Sequence, residues 1–143
     1  MRISAKAEYA CAAMMHLAAH YGDPGPVRVK TIAETQGIDD RFLVQILLLL
    51  KTAGLVASVR GAAGGYNLVR PPDKITLAEI INAIDDSTFA PPAALAKVTR
   101  TPVVTVLLDI WRQVMAEQQK LLHGLTLAEL LQRTQEDALV YQI

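Results

Sequence analysis

Arg60 opens the stretch RGAAGGY at residues 60–66, which sets a guanidinium beside three glycines. Glycine-rich loops can press bare backbone N–H groups against phosphates, so a nucleotide cradle is one chemistry open to this pattern. The rest of such a cradle is missing. No Lys-Ser or Lys-Thr pair follows, and the next residues, Tyr66-Asn67-Leu68-Val69, are β-prone and do not open a helix. A tight hairpin tip fits better, because glycine supplies positive φ and lets backbones approach closely. Arg60 then stands at the base of a thin projection. An arginine so carried suits a narrow DNA minor groove, whose negative potential attracts it.

A second set of polar side chains lies on a helix expected from Asp39 to about Ala53. Its outward candidates are Asp40, Arg41, Gln45 and Lys51, with Phe42 near the helix start. Arg41 can pair with guanine and Gln45 with adenine, and Lys51 can meet a phosphate. Asp39 and Asp40 read as a cap and a first-turn acid that favour the helix dipole. Other reactive groups form no recognisable centre. Cys11 sits on an alanine-rich face and reads as a small apolar residue. His16 and His20 share an i, i+4 face but lack the further ligands a metal needs. No Ser–His–Asp or paired-carboxylate arrangement is present, which excludes an enzyme.

These residues must be positioned by the elements around them. Ser4 can cap a helix running to about His20, and Gly22-Asp23-Pro24-Gly25-Pro26 breaks it. Val27-Arg28-Val29 is short and β-branched, a small strand. Lys30 to Gln36 makes a two-turn helix closed by Gly37, and the helix from Asp39 follows, with Gly54 at its C′ position. A short helix, a turn with glycine and a longer helix form a helix-turn-helix. Residues 55–59 and 66–69 then pair as a hairpin about RGAAGG. The expected fold is mainly α with a small β-hairpin: a winged helix-turn-helix over residues 1–84, followed by a long C-terminal dimerisation helix.

The back half is organised differently. ITLAEII at 75–81 and LTLAELL at 125–131 each read as a capping box opening an amphipathic helix. Residues 85–102 hold three of the seven prolines and little periodicity, a surface loop where an effector, small molecule or protein, would act. Over residues 103–143 a helical stripe runs through Val103, Leu107, Ile110, Val114, Leu121 and Leu125, widened by Trp111, Met115 and Leu122. The alternation of steps of three and four predicts a helix packed lengthwise on another. Apolar residues make up 52% of the 143 and charged ones 20%, more apolar surface than so small a monomer buries. An intersubunit seam is therefore preferred to an intramolecular one.

Charge supports a division of labour. Residues 1–70 carry eight Lys or Arg against five Asp or Glu, a net of +3, whereas residues 71–143 carry six against nine, a net of −3. A basic front and an acidic back suit a nucleic-acid-binding part joined to a non-binding one. One cysteine excludes an internal disulfide and fits a reducing cytoplasm. No signal peptide or membrane-spanning run is expected.

The chain also resembles a known family. MRISAKAEYA, IAETQGI with FLVQIL, AGLVASVRGAAGGYNLVRPPDKITLAEIINAI and LTLAELL look like the bacterial winged-helix repressors that include the iron–sulfur cluster assembly regulator, a nitric-oxide-sensing repressor and the repressor of cysteine metabolism. The resemblance implies a homodimer, joined through the long helix, on an inverted-repeat operator in double-stranded DNA. Carried over by position, Arg2 and Thr31 would lie near phosphates, Arg41 to Gln45 would enter the major groove, and Arg60 and Gly61 would make the wing contacts. Many members hold an iron–sulfur cluster through three cysteines before the dimerisation helix. Residues 85–102 contain none, and Cys11 alone cannot replace them. Glu8, near where some members draw a further ligand, then reads as a solvated acid. The expectation is a regulator with no cluster and no other cofactor. The alternative is a winged helix used only as a protein-interaction module.

Overall fold

The computed structural model describes residues 1–142 and contains six α-helices and one two-stranded sheet. Helix α1 spans Ala5–Ala19, and its first turn is closed by Ser4, whose Oγ accepts from the Ala7 N–H at 3.1 Å. Helix α2 (Val29–Gln36) ends at Gly37 in the left-handed region, with φ 68°. The turn leads through buried Ile38 into α3 (Asp40–Thr52). Asp39 caps α3 by accepting from the N–H groups of Arg41 and Phe42 at 3.0 and 3.2 Å.

The end of α3 is set as firmly as its start. Gly54 adopts φ 78°, its N–H donates to Lys51 O, and the Leu55 N–H reaches back to Leu50 O, each at 3.0 Å. This pair of bonds is a Schellman closure, which glycine at C′ permits without Cβ strain. Leu50 and Leu55 are both buried beside it. The chain then turns into β1 (Val56–Val59), which pairs antiparallel with β2 (Gly65–Leu68) in the register Val56↔Leu68 to Val59↔Gly65.

Val27-Arg28-Val29 departs from the expected strand. Val27 alone pairs, exchanging N–H···O bonds with Tyr66 at 3.0 and 2.8 Å, and Val29 already begins α2. A β-branched run is weak evidence when the residues after it can start a helix, because β preference depends on neighbours. The isolated pairing still has an effect: it ties the hairpin to the chain segment that enters α2.

Helix α4 (Leu77–Ile84), α5 (Pro102–His123) and α6 (Leu127–Gln142) complete the molecule. The core draws Met14, Leu17, Ile32, Leu43, Ile46, Leu47 and Leu50 from the front half, Ile75 and Ile80 from the segment that enters and forms α4, and fully buried Leu127 from α6. Thus α6 returns to the winged-helix body and packs on α1. Its first turn is joined to that of α4. Thr76 and Thr126 form an antiparallel bridge, the Leu77 N–H donates to Leu125 O, and the Leu127 N–H donates to Ile75 O, each at 3.0 Å.

The two matching segments therefore meet. Each capping box is only half formed: Thr76 Oγ1 accepts from the Glu79 N–H at 3.3 Å and Thr126 Oγ1 from the Glu129 N–H at 3.2 Å. The carboxylates do not reach back to the caps; Glu79 pairs with Arg70 and Glu129 with Arg133. A charged partner offers a carboxylate a stronger bond than a neutral backbone N–H does. Residues 85–102 contain two 3₁₀ turns, Asp86–Phe89 and Leu95–Lys97, where a plain loop was expected. Asp85 caps the first by accepting from the Ser87 N–H.

Candidate nucleic-acid interface

Helix α3 is amphipathic, and its burial separates two faces. Leu43, Ile46, Leu47 and Leu50 enter the core, while Arg41, Val44, Gln45, Leu48, Lys51 and Thr52 are exposed. At 3.6 residues per turn, Arg41, Val44, Gln45 and Leu48 fall on one outward stripe. Asp39 is spent on the helix terminus, so its charge lies against N–H donors at the positive end of the dipole. Phe42 departs from a purely outward role. It is half-buried, and its ring meets Tyr9 edge-on at 5.6 Å between centroids and 89° between planes. That packing fixes the start of α3 against α1.

The hairpin presents Arg60 and Gly61, both exposed, between the paired ends Val59 and Gly65. Gly61 takes φ 110°, a conformation that side chains resist. Gly65 is required for a different reason: a Cβ there would lie 2.1 Å from the Val27 carbonyl oxygen. The glycines thus turn the tip and let the wing press on the Val27 segment. Thr31 is exposed on α2. Arg2 is exposed before α1 and lines a cleft of about 640 Å³ with Asp85, Ser87 and Thr88.

Sequence reasoning missed Arg28. It is exposed one residue from the Val27–Tyr66 pairing, at the start of α2, so it adds a cation between wing and helix-turn-helix. Its signal was a basic residue just before a helix start, which the strand assignment obscured. Val44 and Leu48 were also missed, because the run FLVQILLLL is apolar nearly all round.

Helix α5 carries a different surface. Val104, Leu108 and Leu122 are buried within the chain. Val103, Ile110, Trp111, Val114 and Leu121 are exposed, Val103 and Leu121 by about two-thirds, and Leu107 is half-buried. Most of the stripe read from spacing is therefore left uncovered by this chain, whereas Leu122 packs into the core and half-buried Leu125 lies beyond the helix and bonds the start of α4.

Comparison with known proteins now decides the class. The model of the Rrf2 family, described as "Iron-dependent Transcriptional regulator", matches residues 3–133. The chain belongs to that family. It is 36% identical over 131 residues to the HTH-type transcriptional regulator IscR of Aliivibrio salmonicida, covering 92% of this chain and 77% of that one. Among solved structures it matches IscR from T. potens with a TM-score of 0.77 at 36% identity, covering 96% and 90% of the two chains. CymR, the global cysteine regulator of B. subtilis, matches with a TM-score of 0.75 at 32% identity, over 91% and 95%. The winged-helix fold and the assignment as a DNA-binding transcription regulator rather than an enzyme follow from this membership.

The family's iron description puts the donor set to the test. Cys11 is half-buried, and burial, with Glu8 adding to it, pushes its thiol up to about 11. A thiol held protonated is a poor ligand. Among the described residues no three His, Cys, Asp or Glu side chains gather as a metal site. Cys11 is the one cysteine of the sequence, so it supplies a single thiol where such clusters are held by several. No helix of the described residues is long and apolar enough to cross a membrane.

Proposed function

We propose that this regulator works as a homodimer, without an iron–sulfur cluster, that occupies an inverted-repeat operator and represses the adjacent promoter. The observation that carries the reading is the capped, Schellman-closed α3, which holds Arg41 and Gln45 exposed while the same body presents Arg60 on a glycine-turned hairpin. Arg41 and Gln45 read base edges in the major groove, Lys51, Thr31 and Arg2 meet phosphates, and Arg60 with Gly61 enters the flanking minor groove. Exposed Val103, Ile110, Trp111, Val114 and Leu121, with Leu107, form the seam between two copies. The seam sets the distance between two α3 helices, which must match successive major grooves about 34 Å apart. An effector at residues 85–102 would act by changing that distance.

Selection from random duplexes tests this reading. A pseudo-palindrome should be enriched, and affinity should fall as salt rises, because bound phosphates release counterions. Arg60→Ala should weaken binding to the selected duplex by about tenfold and leave the dimer folded. Selection without enrichment, together with binding indifferent to salt, would refute operator recognition. Unchanged affinity of the Arg60 variant would remove the wing contact alone.

A further inference from the structure

The outward stripe of α3 contains two aliphatic side chains that folding leaves uncovered. Val44 is 42% exposed and Leu48 51% exposed, between the core-facing pairs Leu43/Leu47 and Ile46/Leu50. Val44 precedes Gln45 directly and Leu48 follows it by three residues, and the two follow Arg41 by three and seven, so all four share the face offered to the groove. Arg41 and Gln45 supply the hydrogen-bond donors of its first two turns, beside the exposed Asp40 carboxylate, and the pair can specify a guanine and an adenine. Between these two and exposed Thr52 at the far end of the stripe, the contact area is the hydrocarbon of Val44 and Leu48. In the major groove the one apolar base feature is the C5 methyl of thymine, which side chains of this kind read by contact. The cap and closure of α3 fix the helix at both ends, so the two side chains are presented on a rigid element.

Resting on the operator reading above, we propose that Val44 and Leu48 are specificity-determining residues that read thymine methyl groups in each half-site. Val44, in the second turn, meets a thymine close to the bases read by Arg41 and Gln45. Leu48, one turn further, meets one nearer the edge of the half-site. Cytosine at either place lacks the methyl and leaves the aliphatic surface facing water. The operator should therefore carry fixed thymines at positions where no hydrogen-bonding side chain reaches.

The experiment replaces each thymine of the selected operator by deoxyuridine, symmetrically in both half-sites, which removes the methyl and keeps every hydrogen-bonding edge. At one or two thymines the wild-type dimer should lose about fourfold in affinity per half-site, the worth of one buried methyl group. Val44→Ala or Leu48→Ala, both at exposed sites in a helix that tolerates alanine, should bind the thymine and deoxyuridine duplexes equally at its own position. If no deoxyuridine weakens the wild type, the inference falls and operator recognition stands. A deoxyuridine effect that persists in both variants also overturns it. If no duplex is enriched at all, both readings fall, and the exposed aliphatic face belongs to a protein partner.

Discussion

Helices α3 and α5 are both amphipathic and both half uncovered, yet what they leave uncovered differs. On α3 the apolar face is consumed by the chain's own core, and Arg41, Gln45 and Lys51 are among the residues left to solvent. On α5 only Val104, Leu108 and Leu122 are covered by the chain, and the exposed stripe is aliphatic and aromatic. Water solvates the first surface well except at Val44 and Leu48, and the second badly along its whole stripe. A face of the first kind waits for a charged, hydrated partner such as DNA, while one of the second kind is stabilised by removing it from water. The contrast is what a dimeric regulator needs, because one surface must exchange partners and the other must not.

The most damaging way to break this contrast is to charge α5. Ile110→Glu combined with Val114→Glu should convert a species of twice the 15.5 kDa chain mass into a folded monomer, read by sedimentation. Operator affinity should fall by at least about 100-fold, because two linked half-site contacts become two independent ones. A variant that stays dimeric would show that the exposed stripe of α5 is not the seam.

A second experiment separates burial within the chain from burial between chains. Leu127 is fully buried in the winged-helix core, whereas Leu121, six residues earlier, is about two-thirds exposed. Leu127→Ala should cost about 3 kcal/mol in chemical denaturation, as large-to-small changes in a packed core do. Leu121→Ala should barely alter the unfolding of the monomer and should instead weaken the dimer, seen as a stronger dependence on protein concentration. Equal effects of the two changes would erase the distinction between α5 and the core.

The front of the molecule was more legible than the back, for physical reasons. Ser4, Gly37, Asp39, Gly54 and the hairpin glycines act locally, and each caps or turns the segment in which it stands. The stripe on α5 was legible from spacing alone, since an uncovered apolar face keeps its period whatever covers it. The joining of Ile75–Leu77 to Leu125–Leu127 was not legible. Two similar segments give no sign that they meet, because that pairing depends on where a 22-residue helix delivers the chain. Nor could periodicity say which leucines of FLVQILLLL face outward, since nearly every position is apolar. For the candidate site, Arg41, Gln45 and Arg60 are proposed from side-chain chemistry alone, whereas proposing Arg28, Val44 and Leu48 needed the fold.

The smallest expected effect lies where the front and back halves touch, at His16 on α1. Its side chain is buried, Nδ1 lies 3.0 Å from Gln36 Nε2, and Nε2 has no hydrogen-bond partner among the described residues. An amide nitrogen donates, so Nδ1 accepts and the ring is neutral with its proton on Nε2. Burial, and secondarily the neighbouring His20, lowers its pKa below the usual 6.5. Above that value the folded and unfolded chains are both neutral there, and His16 contributes no pH dependence. As pH falls below it, the unfolded chain takes up the proton first, so the stability held at neutral pH is lost progressively toward the lower folded pKa. Denaturation between pH 7 and 5, a window above most carboxylate titration, should therefore show stability decreasing with acid. The comparison is best made in a His20→Gln background, where burial remains as the larger cause and the neighbouring imidazole is absent. There His16→Gln should flatten the profile, and the acid-induced loss of stability that it abolishes reads the shift at about 1.4 kcal/mol per pKa unit. Parallel curves would place the His16 ring in contact with water, and the packing of α1 against the end of α2 would have to be looser than the burial of that ring implies.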